Sequence, residues 1–209
     1  LLTEVLRAGS GSSALRPRDW DIATNAKPDE IQKLFTDSVY ENTFGTVLVK
    51  LGPGESALNV AEVTTFRVEG RYTDKRHPDE IRFAKTIEED LSRRDFTINA
   101  IAVKIEKGKA GDIIDPFHGQ EDLGKRIVRA VGKPDERFME DALRLLRAVR
   151  FASQLRFTID GETQTAIARH AGLLEYIAKE RIRDEFIKLV MSEGAVEGII
   201  ALQDFGLLR

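Results

Sequence analysis

The chain has no cysteine, which excludes disulfides and thiolate metal sites. That absence fits a reducing cytoplasm. Also missing is any apolar run near the ~20 residues that a membrane helix needs. The first residues lack the basic-then-apolar layout of a signal peptide. A soluble cytoplasmic protein with no membrane partner is therefore the expectation. Positive charge is not in excess either: 32 Lys and Arg stand against 35 Asp and Glu, for a formal net charge of −3. Dedicated nucleic-acid binders are usually basic overall, so any grip on RNA must be local or lie on a part not present here. No internal repeat and no long low-complexity tract interrupts the chain. What remains is 209 residues, 42% hydrophobic and 32% charged, enough for one sizeable domain or two small ones.

The first half reads as α+β. Trp20–Thr24 has strand character, and Pro28-Asp29-Glu30 opens a short helix through Phe35, with proline and acids where a first turn favours them. Val39-Tyr40, Thr46–Leu51 and Leu58–Val68 are β-rich runs split by Gly45 and by Gly52-Pro53-Gly54. Thr97–Ile105 is another apolar run of strand length. A mixed sheet of about five strands follows. Beyond Lys133 the rhythm turns helical. Phe138, Ala142, Leu145, Leu146, Val149 and Ala152 repeat every 3.6 residues and predict one helix over Glu136–Leu155. Further helices are expected at Glu162–His170, Leu173–Tyr176, Arg181–Ser192 and Ala195–Phe205, with a strand signal only at Phe157–Ile159. The division is a sheet domain over 1–130 and an all-helical domain over 131–209. Gly9-Ser10-Gly11-Ser12-Ser13 reads either as a linker or as a phosphate-cradling turn.

Asp19-Trp20-Asp21 opens the first strand. Alternate strand residues share a face, so the two carboxylates converge while Trp20 and Ile22 face the core. Like charges held that close repel, and a divalent cation relieves the cost; hard oxygen donors suit Mg²⁺. The tripeptide alone is weak evidence and reads as an exposed turn capping a strand; a third carboxylate shifts the balance. Glu62 interrupts the β-prone run Val60–Thr64, and an acid there either faces solvent or is buried for a reason. If its strand lies beside Asp19–Thr24, Glu62 completes a three-carboxylate site.

Arg93-Arg94-Asp95-Phe96-Thr97-Ile98-Asn99 offers Arg94 to clamp phosphate, with Asp95 and Asn99 to contact a ribose or orient neighbours. Its plain alternative is a helix end where arginines answer Glu88, Glu89 and Asp90. On the long helix, Glu140, Arg144 and Arg147 fall at i, i+4 and i+7, Asp141 and Arg144 at i and i+3, and Arg150 extends the row. A surface helix with ordinary ion pairs explains this too. Chemistry gives a sharper option. Cytosine and adenine both present an amino donor beside a ring-nitrogen acceptor. A carboxylate accepts from the first and a guanidinium donates to the second. Uracil and guanine present the reverse order, and wrong pairing strands polar groups.

Together these segments resemble a known family. Asp19–Ala26, Glu62–Arg67, Glu89–Thr97 and Arg137–Arg144 look like successive motifs of the class II, bacterial-type CCA-adding tRNA nucleotidyltransferases and poly(A) polymerases, and Glu180–Phe186 resembles their later helix motif. The likeness runs from Arg18 to Arg209. It implies a polymerase-β-like head followed by a helical neck, without the body and tail domains that hold tRNA. It implies metal-binding carboxylates at Asp19 and Asp21 for a two-metal Mg²⁺ site, with Glu62 third. Ribose and phosphate contacts fall on Arg94, Asp95 and Asn99. Base templating falls on Glu140, Asp141 and Arg144, with Arg147 and Arg150 toward the triphosphate. CTP and ATP are the implied substrates and a tRNA 3′ end the implied partner. Phe44-Gly45-Thr46-Val47 and a full-length Glu69–Glu80 loop look like the CCA- or A-adding type. The family's glycine-rich stretch carries Gly-Gly and a Val-Arg-Asp triplet, for which only Gly9-Ser10 stands at a compatible distance. A poly(A) polymerase and an inactive RNA-binding remnant of the fold are the alternatives.

Overall fold

The computed structural model describes residues 21–41, 45–51, 60–70 and 81–208. Asp19, Trp20, the Gly9–Ser13 stretch, Phe44, Gly52-Pro53-Gly54 and residues 71–80 lie outside the described residues. The chain divides into two compact units, one comprising residues 1–68 and 81–90, the other 69–80 and 91–209.

In the first unit, β1 (Asp21–Thr24), β2 (Ser38–Tyr40), β3 (Thr46–Lys50) and β4 (Val60–Thr65) form one sheet in the order β1-β4-β3-β2. β1 runs parallel to β4 and the other pairs are antiparallel. The sheet is mixed, as expected, with four strands among the described residues against the about five expected. Its apolar face is short: Val47, Val49 and Val63 pack with Ile31 of α1 (Pro28–Leu34). α1 starts where the sequence signals say, with Pro28 in its first turn and Glu30 accepting a hydrogen bond from the Lys27 backbone N–H at 2.7 Å. The expectation that Ile22 faces the core fails. Ile22 lies beside Val63 but remains 44% exposed; among the described residues β1 stands at the sheet edge, with β4 its one neighbour. A two-stranded ribbon, β5 (Arg67–Glu69) with β6 (Ile81–Phe83), and α2 (Ile87–Ser92) follow; the division between units falls within α2. The buried Asp90 carboxylate accepts from the Arg67 N–H at 3.1 Å and so ties α2 to β5.

The second unit departs from expectation at once. Thr97–Ile105 is not one strand. Thr97–Asn99 make a 3₁₀ turn, and β7 (Ala102–Glu106) begins after it, pairing among the described residues with β8 (Lys109–Ile114) alone. The Asp95 and Asn99 side chains bond each other across this turn, an alternative to a ladder that short polar side chains favour. After α3 (Gly119–Lys125), β9 (Ile127–Val128) pairs in parallel with β10 (Thr158–Ile159).

The single helix expected over Glu136–Leu155 is two, α4 (Pro134–Glu140) and α5 (Leu143–Leu155). Asp141 breaks it, with extended backbone at φ −137° and ψ 106°. Its carboxylate accepts from the Leu143 N–H at 3.0 Å and thereby starts the second helix. α6 (Gly161–His170), a 3₁₀ segment (Ala171–Tyr176), α7 (Lys179–Val190) and α8 (Ala195–Asp204) complete the unit. α5 is central: Leu145, Leu146, Ala148 and Val149 are buried, with Phe96, Phe138, Ile167, Leu189 and Leu202 in the same unit's core.

One close approach bears on the candidate site. A Cβ at Gly119 would lie 2.2 Å from the Thr97 carbonyl oxygen, so α3 meets the 3₁₀ turn backbone to backbone. Gly119→Ala is expected to cost about 1–3 kcal/mol, as overpacking does, read as a lower thermal midpoint. An unchanged midpoint would contradict this contact.

Candidate active site

Two groups of polar side chains emerge, one in each unit. In the first, Asp21 and Glu62 are direct Cα partners on β1 and β4. Neighbouring strands lie about 4.8 Å apart, so paired residues carry their side chains off the same face. Burial along β4 alternates, with Ala61, Val63 and Thr65 buried and Glu62 exposed. This resolves the ambiguity left by the sequence: Glu62 stands on the open face, and the edge position of β1 exposes Asp21 beside it. Thr46 and Thr64, whose hydroxyls are 3.1 Å apart, belong to the same stretch of β3 and β4. Asp19 lies outside the described residues. Among the described residues no group of three acidic, histidine or cysteine side chains is gathered to hold a metal.

In the second unit, Asp95 is the hub. It is 8% exposed. Its Oδ1 accepts from its neighbour's N–H, on Phe96, and from Asn99 Nδ2 at 3.0 Å; its Oδ2 accepts from Arg147 Nε at 2.7 Å and Nη2 at 2.6 Å. Burial alone would push this carboxyl up. The Arg147 charge, the Asn99 bond and the Arg147 bond outweigh it and hold the group below its ordinary value. Asp95 is therefore an ionised acceptor at neutral pH. Arg94 is half-buried immediately before it, its N–H bonded to the Leu91 carbonyl.

The helix residues are held by one another. Arg144 is 8% exposed and donates from Nη1 to Glu140 Oε2 at 2.6 Å and the Arg137 carbonyl at 3.1 Å, and from Nη2 to the Arg93 carbonyl at 2.9 Å. Glu140 also accepts from Arg137 at 2.5 Å. Asp141 and Arg144, expected as helix neighbours, are held by different partners, because the backbone break at Asp141 turns its carboxylate to Arg181 of α7. Arg147 keeps a 32% exposed side chain and lies with its guanidinium 5.2 Å from the Phe151 ring centroid. Arg150 sits closer, 4.0 Å above the same ring, donates from Nε to Glu185 at 2.5 Å and from Nη1 to Gln154 at 2.7 Å, and is buried. Burial pushes the Arg150 guanidinium down, the Glu185 charge pulls it up, and Arg147 adds to the fall.

Arg137, Arg181 and Glu185 were given no role from the sequence. Arg181 and Glu185 share one helix face at i and i+4, which was the available signal. Their partners lie 35 to 40 residues away, beyond the reach of helical spacing.

The chain as a whole is similar to known proteins. Residues 13–129 match the family profile described as the poly(A) polymerase head domain, and residues 156–209 match "Probable RNA and SrmB-binding site of polymerase A". The CCA-adding enzyme of Lactobacillus johnsonii is 48% identical over 190 residues, covering 90% of this chain and 46% of that protein. That of Latilactobacillus sakei is 50% identical over 192 residues, with 91% and 46% covered. The chain thus spans about half the length of the curated relatives it matches. Among solved structures, the Bacillus stearothermophilus CCA-adding enzyme in complex with CTP superposes with a TM-score of 0.79 at 38% identity, covering 99% of this chain and 47% of that one. The Thermotoga maritima CCA-adding enzyme complexed with tRNA gives 0.74 at 25% identity, with 93% and 43% covered.

Proposed function

Because the chain belongs to the class II family of CCA-adding tRNA nucleotidyltransferases and poly(A) polymerases, we propose that it transfers C and A from CTP and ATP to the 3′ end of a tRNA in the cytoplasm. The observation that carries the transfer chemistry is the pairing of Asp21 with Glu62 on the open face of the sheet. Two carboxylates side by side are a hard-oxygen donor set that fits Mg²⁺, and Asp19, two residues before Asp21, supplies a third acid. Mg²⁺ held there would lower the cost of forming a 3′-oxyanion and of releasing pyrophosphate. The bond formed joins the RNA 3′-oxygen to the α-phosphorus, and the bond broken releases the β- and γ-phosphates.

The division of labour follows the motifs. Residues to about 130 are the head, and those beyond are the neck. Arg94 meets phosphate, while Asp95 and Asn99 meet the ribose or fix Arg147. Arg147, a third exposed, is better placed than the buried Arg150 to meet a phosphate; Arg150 adds its charge at longer range. Glu140 fixes Arg144, and Asp141 with Arg144 reads the base edge. Relatives named as CCA-adding enzymes favour tRNA over a poly(A) tail as the product.

Asp141→Ala or Arg144→Ala is expected to relax the choice among nucleotides by about 1–3 kcal/mol, the worth of a good bidentate base contact. Incorporation of all four NTPs into a tRNA lacking its CCA end measures this. An undiminished preference for CTP and ATP in both variants would remove the templating role.

A further inference from the structure

A carboxylate that reads an amino group must keep one orientation, and two independent holds fix Asp141. The Leu143 N–H donates to Oδ1 at 3.0 Å. Arg181, in the first turn of α7, closes a fork on both oxygens: Nη1 to Oδ1 at 3.3 Å and Nη2 to Oδ2 at 2.8 Å. An ionised carboxylate offers about four acceptor sites. Among the described residues two donors fill Oδ1 and one donor occupies Oδ2, so an acceptor site remains on Oδ2.

We propose that Arg181 is a positioning residue for base selection, whose guanidinium fork keeps the Asp141 carboxylate oriented with its Oδ2 open to the amino group of an incoming cytosine or adenine. This rests on the templating role assigned to Asp141 above. The pair is partly buried, with side chains 27% and 17% exposed, so water competes weakly with the fork. A planar guanidinium fixes both the position and the plane of a carboxylate. A lysine ammonium fixes only a distance. Without the fork, Asp141 retains the Leu143 bond but is free to rotate about its side-chain torsions, and it then meets U and G with less penalty.

A tie between α7 and the α4–α5 break that served stability alone would lower the thermal midpoint without touching nucleotide preference. The two roles separate in a double-mutant cycle on the full 209-residue chain with Mg²⁺. Dissociation constants for CTP, ATP, UTP and GTP are measured by equilibrium dialysis for wild type, Arg181→Ala, Arg181→Lys, Asp141→Ala and the double Ala variant. Arg181→Ala is expected to reduce the preference for CTP and ATP about tenfold, the usual size of a charged hydrogen bond's loss. Arg181→Lys recovers only part of it, and the double variant is no less selective than Asp141→Ala. A preference intact in Arg181→Ala, or losses that multiply in the double variant, would overturn the assignment. Should Arg181→Ala not fold, Arg181→Lys decides in the same way: lost preference supports the fork and retained preference overturns it. A wild-type chain with no preference would bring down the templating role itself, and the role of Arg181 with it.

Discussion

Asp21→Ala is expected to reduce nucleotide incorporation on the order of 10³-fold or more, the scale seen when a preorganised charged group is removed from an active site, while the chain keeps its fold. Both halves of that expectation follow from position. Asp21 lies on the edge strand β1, exposed, so its side chain contributes little to packing and its loss changes stability by no more than about 0.5 kcal/mol. Its Cα partner across the ladder is Glu62, so removing Asp21 halves the pair of acids that the two strands bring together. Asp29→Ala is the matching control: an exposed acid on α1, 67% accessible in its side chain, whose loss should leave turnover near wild type. Incorporation assays on the three proteins, with circular dichroism to verify folding, decide the matter. Normal turnover by Asp21→Ala would refute its role.

Glu185→Ala has the largest expected effect on stability, about 3–5 kcal/mol, because it strands a buried guanidinium. Glu185 is 5% exposed and accepts from Arg150 Nε at 2.5 Å; Lys188 Nζ is 3.3 Å away and Arg147 Nη1 3.9 Å away. Arg150 is itself buried, its other contacts, Gln154 and the Phe151 ring, bring no negative charge, and Asp95 adds only a weaker attraction. Alanine therefore leaves the buried Arg150 guanidinium without its ion-pair partner inside the second unit. At roughly 2–4 °C per kcal/mol for a chain of this size, the thermal midpoint should fall on the order of 10 °C. Glu185→Gln keeps the shape and one acceptor oxygen and should cost less. Equal midpoints for Glu185→Ala and wild type would mean that Arg150 finds water or another partner.

The readability of this fold from its sequence tracks the range of the interactions involved. The α1 start, the β2, β3 and β4 strands and the last helices are set by residues a few positions apart, and they stand where the local signals place them. The β1–β4 pairing needed one conditional step, and Asp21 and Glu62 do lie in register. Ile22 was misread because alternation assigns a face but not the cover over it, and an edge strand has little cover. Thr97–Ile105 was misread because its first residues satisfy one another locally through Asp95 and Asn99 before the strand begins. The break at Asp141 was hidden because the apolar rhythm continues through it: Phe138, Ala142 and Leu145 are all buried on either side of the kink. Only the Asp141 carboxylate, capping Leu143 and meeting Arg181, reveals why the helix stops there.

The candidate site divides in the same way. Its acids and arginines could be named from motif spacing, while the groups that hold them could not. Arg144 is fixed by carbonyls of Arg93 and Arg137 as well as by Glu140, and the two carbonyls carry no side-chain signature. Asp95 reads from the sequence as a ribose contact or an orienting group, and the structure adds that Arg147 spans it with two N–H groups.

The proposed activity is selective, metal-dependent extension of a tRNA end. It is tested most directly by incubating the chain with a tRNA lacking its terminal CCA and each of the four NTPs in turn, with and without Mg²⁺, and reading product length on a gel. CTP and ATP should extend the RNA only when Mg²⁺ is present, and UTP and GTP should not. Extension by all four nucleotides alike, or undiminished extension without a divalent ion, would contradict it.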